Sequence, residues 1–404
     1  MLRNRGCVVG LGAFVLLAIL FFRGLDLYTD WVWFDALGVA SVLWTRIIAE
    51  WLLFLIAWIV AFALMFGNWW LARRVAGGGQ MTIPWLRQER SRYSTSTEPT
   101  TRRISGRVAN ALLAGVAVLL GLLFALPARA TWLTALVSLN GVPFGQTDPI
   151  LGRDLAFYLF QLPWLRFLQG WFLWLTLVTL AGVLLINLAT YSAARLTNRI
   201  DVVGERWPWL RLQLAAERHL LILGAVALLL FAWGYQLDIP DLLYSSSGAA
   251  FGASYTDVHA RLPVMHVLTG IVILGALILL ASIFVRVRWL PYAVIGAWLA
   301  VAFLGGTLYP SLLQRLVVIP NELTRERPYI AHTIELTRSG FGLADVAEDD
   351  FDLPEQTVPL DLEANASTIR NIRLWDYRPL MRTYSQLQEI RLYYAFADVD
   401  IDRY

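Results

Sequence analysis

Seven apolar stretches, each close to the length of about 20 residues that crosses a bilayer as a helix, constrain the fold of this chain most. They occupy residues 6–22, 44–66, 108–126, 167–189, 219–236, 263–285 and 289–309. Hydrophobic residues make up 58% of the 404 residues and charged residues only 16%, whereas a soluble domain averages about 45–50% and about 25%. The sequence therefore predicts an all-α transmembrane bundle of about seven spans.

The types of basic residue and the cysteine count exclude several classes of chemistry. All 33 basic residues are arginine, so the chain has no lysine for a Schiff base, a phosphate-binding loop or a general base. The single cysteine, Cys7, excludes an internal disulfide, a C-x-x-C redox pair and a cysteine-rich zinc site.

The distribution of arginine predicts how the spans are oriented. The N-terminus and the connections 71–107, 190–218 and 286–288 carry 17 arginines together, whereas the alternate connections carry 6. Because cytoplasmic connections are enriched in basic residues, we expect a multi-pass plasma-membrane protein with a cytoplasmic N-terminus and an extracytoplasmic C-terminus. No small-x-small cleavage pattern follows the first span, which is therefore predicted to be an uncleaved anchor.

The chain changes character at Pro310, after which it holds 16 of the 30 acidic residues but 10 of the 33 arginines. We therefore predict a transmembrane domain over 1–309 and the start of a soluble extracytoplasmic domain over 310–404. In the second part we expect an extended piece at 316–319, two helices, and strands at 371–375 and 392–404. This is a partial α+β segment, predicted to be incomplete because a terminal strand lacks partners.

Three carboxylates alternate along the last predicted strand. Asp398, Asp400 and Asp402 would share one face of that strand. Divalent cations such as calcium bind several oxygen ligands, so these three residues are the candidate metal site. Arg403 occupies the place where a calcium loop would have its turn glycine, and the alternative is a solvated or arginine-paired edge.

Few polar residues fall within the apolar stretches, and a polar group inside a membrane is a candidate functional group. They are Glu50, which Arg46 could pair, Asn68, Asn187, His219 and His266. Outside the spans, His259 and His332 are interpreted as structural hydrogen-bonding residues rather than catalytic ones. No chain of acids and histidines follows any one span, which disfavours a proton-driven pump.

Five stretches carry a likeness to a known family. They are residues 29–38 (TDWVWFDALG), 148–163 (DPILGRDLAFYLFQLP), 252–263 (GASYTDVHARLP), 320–330 (PNELTRERPYI) and 371–404 (NIRLWDYRPLMRTYSQLQEIRLYYAFADVDIDRY). On these the chain resembles uncharacterised protein family (UPF) 0182. The resemblance implies a seven-span membrane block followed by a large extracytoplasmic domain, of which this chain would be a truncated or split form. It supplies no catalytic residues, and the matched stretches imply a role on the outer side.

The sequence leaves three classes of function open. No H-E-x-x-H, G-x-S-x-G, phosphate-loop or cysteine-cluster motif is present, so we assign no catalytic residue, and a non-enzymatic role is favoured over an enzymatic one. The main hypothesis is an envelope-associated scaffold or binding module that acts on the outer face. Its partners would be the bilayer and an envelope protein or lipid, with no nucleic acid, no cofactor beyond a divalent cation, and no defined oligomeric state. The alternatives are a transporter or channel component and a metal-dependent envelope enzyme.

Overall fold

The fold is described from a computed structural model of the chain, covering residues 3–75, 81–87, 101–196, 214–285, 289–347, 361–372 and 376–388. Helices dominate these residues. The long helices are α1 (Arg3–Ala36), α2 (Ala40–Val75), α3 (Gly106–Ala130), α5 (Leu162–Leu196), α6 (Leu214–Asp241), α7 (Leu262–Ala281), α8 (Leu290–Phe303) and α10 (Glu322–Gly340). The short ones are α4 (Trp132–Asn140), α9 (Tyr309–Leu313), α11 (Ala366–Arg370) and α12 (Tyr377–Gln388).

Six helices in the described part of the chain are long and apolar enough to cross a membrane. They are Ala40–Val75, Gly106–Ala130, Phe157–Thr190, Ala216–Tyr244, Asp257–Ala281 and Tyr292–Gly340. The described residues therefore hold six such helices, where the sequence predicted about seven spans. The predicted first span, residues 6–22, lies on α1, and most side chains of that stretch fall outside the described residues. Six such helices are those of a multipass membrane protein.

The predicted α+β segment after the bundle is wrong. Among the described residues beyond 309 the elements are helices and turns. Residues 316–319 continue a helix, because Ile319 N–H donates to the Gln314 carbonyl, and Asn371 and Ile372 form a turn. Short apolar runs fit a strand and a helix equally well, which explains the error. The predicted strand at 392–404 lies outside the described residues.

A two-stranded antiparallel sheet lies in the connection between α2 and α3. Its strands are β1 (Met81–Arg87) and β2 (Thr101–Ile104). Chain packing separates two compact units, Met1–Phe341 and Gly342–Tyr404. The predicted boundary at residue 309, between a membrane domain and a soluble one, stays a prediction.

Small residues line the contact between α2 and α3. On α2, Ala57, Ala61 and Ala72 are buried, and on α3 the buried small residues are Ala109, Ala117, Gly121, Ala125 and Ala128. Most follow one another at three- or four-residue spacing, which places them on one face of each helix. Small side chains let membrane helices approach closely, so dispersion contacts between the backbones replace the hydrophobic effect that lipid cannot supply.

Four π-helical turns interrupt the helices of the described chain, and each is followed by one residue and then a proline. They are Phe157–Gln161, Asp257–Arg261, Leu304–Leu308 and Gln314–Val318, followed by Pro163, Pro263, Pro310 and Pro320. Proline has no N–H and its ring crowds the carbonyl four residues earlier, and a wider turn relieves both problems. Pro310, predicted to end the last span, therefore lies within continuous helix.

The first two π turns stand at the same end of the bundle. Here α2, α5 and α7 begin and α3 and α6 end, and we call it the loop end. Its ion pairs join neighbouring helices. Arg129 of α3 bonds Glu50 of α2 at 2.7 Å, and Arg166 of α5 bonds Asp238 of α6 at 3.1 Å. Two connections meet at this end, a first loop (residues 141–156) and a second loop (residues 245–254).

Packing between α2 and α5 predicts a sharp difference between two glycines of α5. A Cβ on Gly182 would clash with Trp69 Nε1, whose N–H donates to the Thr179 carbonyl at 3.1 Å. We expect Gly182→Ala to destabilise the bundle by about 1–3 kcal/mol through overpacking. The thermal unfolding midpoint of the full chain in detergent, followed by circular dichroism, measures this.

Gly170→Ala is the matched control, because a Cβ at Gly170 meets nothing within 4 Å. Alanine favours helix over glycine by roughly 0.5–1 kcal/mol, so this variant should unfold at the wild-type temperature or slightly above it. Equal midpoints for the two variants would contradict the close approach of Trp69 to Gly182.

Candidate functional site

The first loop is folded around the carboxylate of Asp148, which is only 2% exposed. Backbone N–H groups of Ile150, Leu151 and Arg153 donate to it at 2.8, 2.7 and 3.1 Å, and the Tyr158 hydroxyl donates at 2.5 Å. Four donors satisfy this buried charge, so its role is to fix the loop backbone and to hold the first π turn against it.

Asp154 closes the other side of the same loop and caps the helix that follows. Its carboxylate accepts from the backbone N–H groups of Ala156, Phe144 and Gly145 at 2.8, 3.1 and 2.9 Å. These N–H donors, that of Ala156 foremost, hold the pKa of the Asp154 carboxyl below its usual value. The charged form of Asp154 thus contributes to the order of the loop.

The second loop ends in a capping box at the start of the helix that leads into α7. Ser254 Oγ accepts from Asp257 N–H at 3.2 Å, and the Asp257 carboxylate accepts from Ser254 N–H at 3.0 Å. Asp257 is fully buried and is also bonded by Ser247 Oγ at 3.1 Å and by Arg261 at 2.7 Å. Like the first loop, the second loop is therefore built around a buried aspartate.

Helix α10 is joined to both loops by polar contacts. Glu326, only 2% exposed, accepts from the backbone N–H of Tyr255 at 3.1 Å, and an acidic group is favourable at a helix N-terminus. Thr333 Oγ1 donates to the Phe251 carbonyl at 3.4 Å, and Ser339 Oγ donates to Gln146 at 3.3 Å. The helix thus spans the gap between the second loop and the first.

A cleft of about 490 Å³ lies between α10 and the two loops. It is lined by Phe144, Asp148, Pro149, Ile150, Leu155, Tyr158, Leu159, Leu243, Tyr244, Phe251, Gly252, Ala253, Tyr329, His332, Thr333, Leu336, Thr337, Gly340 and Phe341. Residues 329, 332, 333, 336, 337 and 340 follow helical spacing, so one face of α10 forms a wall. We call this the loop-end cleft.

Aromatic rings flank the loop-end cleft on the α10 side. Tyr255 and His259 stack with ring centroids 4.0 Å apart, and the Arg325 guanidinium lies 5.2 Å from the Tyr255 ring. His259 Nδ1 is 3.1 Å from the Tyr255 carbonyl and 3.4 Å from the Tyr329 hydroxyl. His259 therefore joins the second loop to α10.

The two histidines weighed from the sequence both lie at this end. His332 lines the loop-end cleft, and His259 makes the hydrogen bonds expected of a structural residue. Within the described ranges, no three His, Cys, Asp or Glu side chains are grouped to hold a metal ion. Asp398, Asp400 and Asp402 lie outside the described residues, and the metal site there stays a prediction.

The polar residues flagged within the spans are dispersed. Glu50 binds Arg46 at 2.9 Å, as expected, and also Arg129. Asn68 and His219 form a hydrogen bond of 2.9 Å between α2 and α6. Asn187 donates to its own helix, at the Val183 carbonyl, and His266 is exposed on α7.

Two features of the cleft were missed by sequence reasoning, although one left a clear signal. Ser254-Tyr255-Thr256-Asp257 fits the capping-box pattern, which would have placed a helix start at Tyr255. The contact between Glu326 and Tyr255 joins residues far apart in the chain and leaves no local pattern.

The lowered pKa of Asp154 predicts a pH-dependent contribution to stability that the Asp154→Asn variant would lack. Because the folded-state pKa is below the ordinary value of 3.8, the stabilisation by the charged carboxylate is complete at higher pH and is lost as the pH falls through the folded value. We expect the difference in unfolding midpoint between wild type and Asp154→Asn to shrink below about pH 4. Thermal scans between pH 6 and pH 3 test this, and a difference independent of pH would contradict it.

Comparison with known proteins confirms the resemblance seen in the sequence. The chain matches the uncharacterised protein family (UPF0182) over residues 7–404. It is 39% identical to a UPF0182 protein of Synechococcus sp. (strain JA-3-3Ab), over 99% of this chain and 44% of that protein. It is also 39% identical to one of Cupriavidus necator, over 95% of this chain and 40% of that protein, and 35% identical to one of Desulforamulus reducens, over 98% and 42%.

No solved structure matches the chain. The chain spans less than half the length of these curated relatives. Because the family match covers nearly all of its residues, the chain belongs to the uncharacterised protein family UPF0182.

Proposed function

We propose that this chain is a plasma-membrane binding module that holds a ligand in the loop-end cleft, on the outer face of the membrane. The loop-end cleft itself carries the proposal. Its volume of about 490 Å³ falls in the usual range for small-ligand sites, about 300–1,000 Å³. Its walls are mostly apolar with a few polar groups, which is the usual composition of such sites.

The rigidity of the walls also supports a binding role. Asp148 in the first loop, and Asp257 in the π turn that follows the second loop, are buried and satisfied by short hydrogen bonds. Ligand binding loses affinity when it must order mobile segments, so walls fixed beforehand favour binding. The two loops that line this cleft therefore form walls that are fixed before a ligand binds.

The distribution of charge supports an outer location for the cleft. The connections at the loop end carry few of the arginines, whereas the connections at the opposite end carry most of them. The positive-inside bias then directs the loop end away from the cytoplasm. A ligand in the loop-end cleft would be met from the envelope side or from the outer leaflet.

The proposed orientation predicts which single cysteines react in intact spheroplasts. Cys7 is the only cysteine, so Cys7→Ser gives a background without thiols. In it, Leu139→Cys places a thiol on the exposed end of α4 at the loop end, and Arg74→Cys places one at the opposite end of α2. A membrane-impermeant maleimide should label the first without permeabilisation and the second only after it. The reverse pattern would place the loop-end cleft in the cytoplasm.

The binding role predicts that a non-protein mass copurifies with the chain and depends on the shape of the loop-end cleft. Thr337→Trp would fill the cleft from the α10 wall, and Thr324→Trp puts the same side chain on an exposed part of α10 outside the lining. Native mass spectrometry of the full chain in detergent should show the adduct on wild type and on Thr324→Trp, but not on Thr337→Trp. An adduct that is absent from wild type, or equal on all three, contradicts the proposal.

A further inference from the structure

The walls of the loop-end cleft offer no arginine or lysine side chain to a ligand. No arginine is among the residues that line it, although the chain contains 33 of them. The one lining carboxylate, Asp148, is already bonded by three backbone N–H groups and by Tyr158. A phosphate or carboxylate buried here would have no arginine as a counter-charge, so the cleft favours a part of a ligand that is uncharged.

Several apolar side chains that line the cleft are exposed. Phe251 and Phe341 are 65% and 77% exposed, and Phe144 and Leu159 are more than half exposed. These four side chains belong to the first loop, the first π turn, the second loop and the end of α10, and they converge on one cleft. Contiguous exposed apolar surface marks a binding site for an apolar partner.

The lining includes residues at the ends of two membrane helices. Tyr158 and Leu159 belong to the membrane helix Phe157–Thr190, and Leu243 and Tyr244 end the membrane helix Ala216–Tyr244. Leu159 and Tyr244 are exposed, so a hydrocarbon chain that enters the loop-end cleft could follow the surfaces of these two helices out of the bilayer. A water-soluble ligand would gain nothing from this arrangement.

From these observations we propose that the loop-end cleft takes the hydrocarbon chain of a bilayer lipid, with the headgroup left outside. This inference rests on the proposed function and names its ligand class. A hydrocarbon chain is uncharged and therefore matches walls that contain no arginine. Its source is the bilayer that surrounds the same helices. The hydroxyl and imidazole groups of Tyr329, Thr333 and His332 lie on the α10 wall. There they can contact the end of the hydrocarbon chain that is joined to the lipid headgroup.

The test uses the full chain in nanodiscs of phosphatidylcholine. A small fraction of the lipid carries a photoreactive diazirine at the end of one acyl chain, and mass spectrometry maps the adducts after illumination. We expect adducts on residues 142–159, 243–253 and 329–341, besides those on exposed helix surfaces. Thr337→Trp should reduce the cleft adducts about tenfold or more, whereas Thr324→Trp should leave them unchanged; tenfold corresponds to ~1.4 kcal/mol of binding free energy.

A second probe carries the diazirine in the headgroup, and it should give no adducts inside the loop-end cleft. The proposal is overturned if the headgroup probe labels the cleft as strongly as the chain probe, or if cleft adducts are absent while helix surfaces are labelled. A dimer that disappears in Thr337→Trp would assign the cleft to a second copy of the chain and would also overturn it. If the copurifying adduct depends on Thr337 but is not a lipid, the binding role stands and the lipid inference fails.

Discussion

Backbone hydrogen bonding without water is the constraint on which the rest of this structure depends. A membrane helix must satisfy its own N–H and C=O groups, and proline removes one donor from that ladder. At Pro163 and Pro263 the chain widens the preceding turn, so that Leu162 N–H reaches Phe157 and Leu262 N–H reaches Asp257. Each of these two π turns also carries a residue that stabilises the loop before it. In the first turn this is Tyr158, which bonds Asp148, and in the second it is Asp257, which bonds Ser254 and Arg261. The loops at the cleft are thus anchored where the helices α5 and α7 are irregular.

Away from these turns, close packing between α2, α3 and α5 supports the loop end. The small residues of α2 and α3 bring two backbones together, and Gly182 of α5 receives the ring of Trp69 so closely that a methyl group has no room. Cores packed in this way have few alternative arrangements. Helices α2 and α5 both begin at the loop end. Their packing against each other therefore determines the position of the first loop. The cleft is shaped from below by apolar contact and at its rim by hydrogen bonds.

The sequence predicted the parts of the fold that the bilayer dictates, and it failed where distant segments meet. Long apolar runs identified the membrane helices, because lipid requires about 20 such residues in a row, and Arg46 was a foreseeable partner for Glu50. The run at 316–319 was misjudged, because four apolar residues fit a strand as well as a helix. The capping box at Ser254 was readable from its spacing. The pairing of Glu326 with Tyr255, and of Ser339 with Gln146, could not be foreseen, since neither has a local pattern.

The way α10 is held explains why the cleft stays open. All residues of α10 are described, and its only buried side chain is the acidic Glu326. Leu323 and Ile334, two of its apolar side chains, are exposed. A helix positioned by the hydrophobic effect would settle onto Phe251 and Leu155 and close the gap. Here hydrogen bonds hold the helix in place: Glu326 accepts one, and Thr333 and Ser339 each donate one, which fixes distance and direction. They hold α10 away from the apolar walls. Because this apolar surface stays uncovered, its burial by an apolar ligand contributes favourable binding free energy.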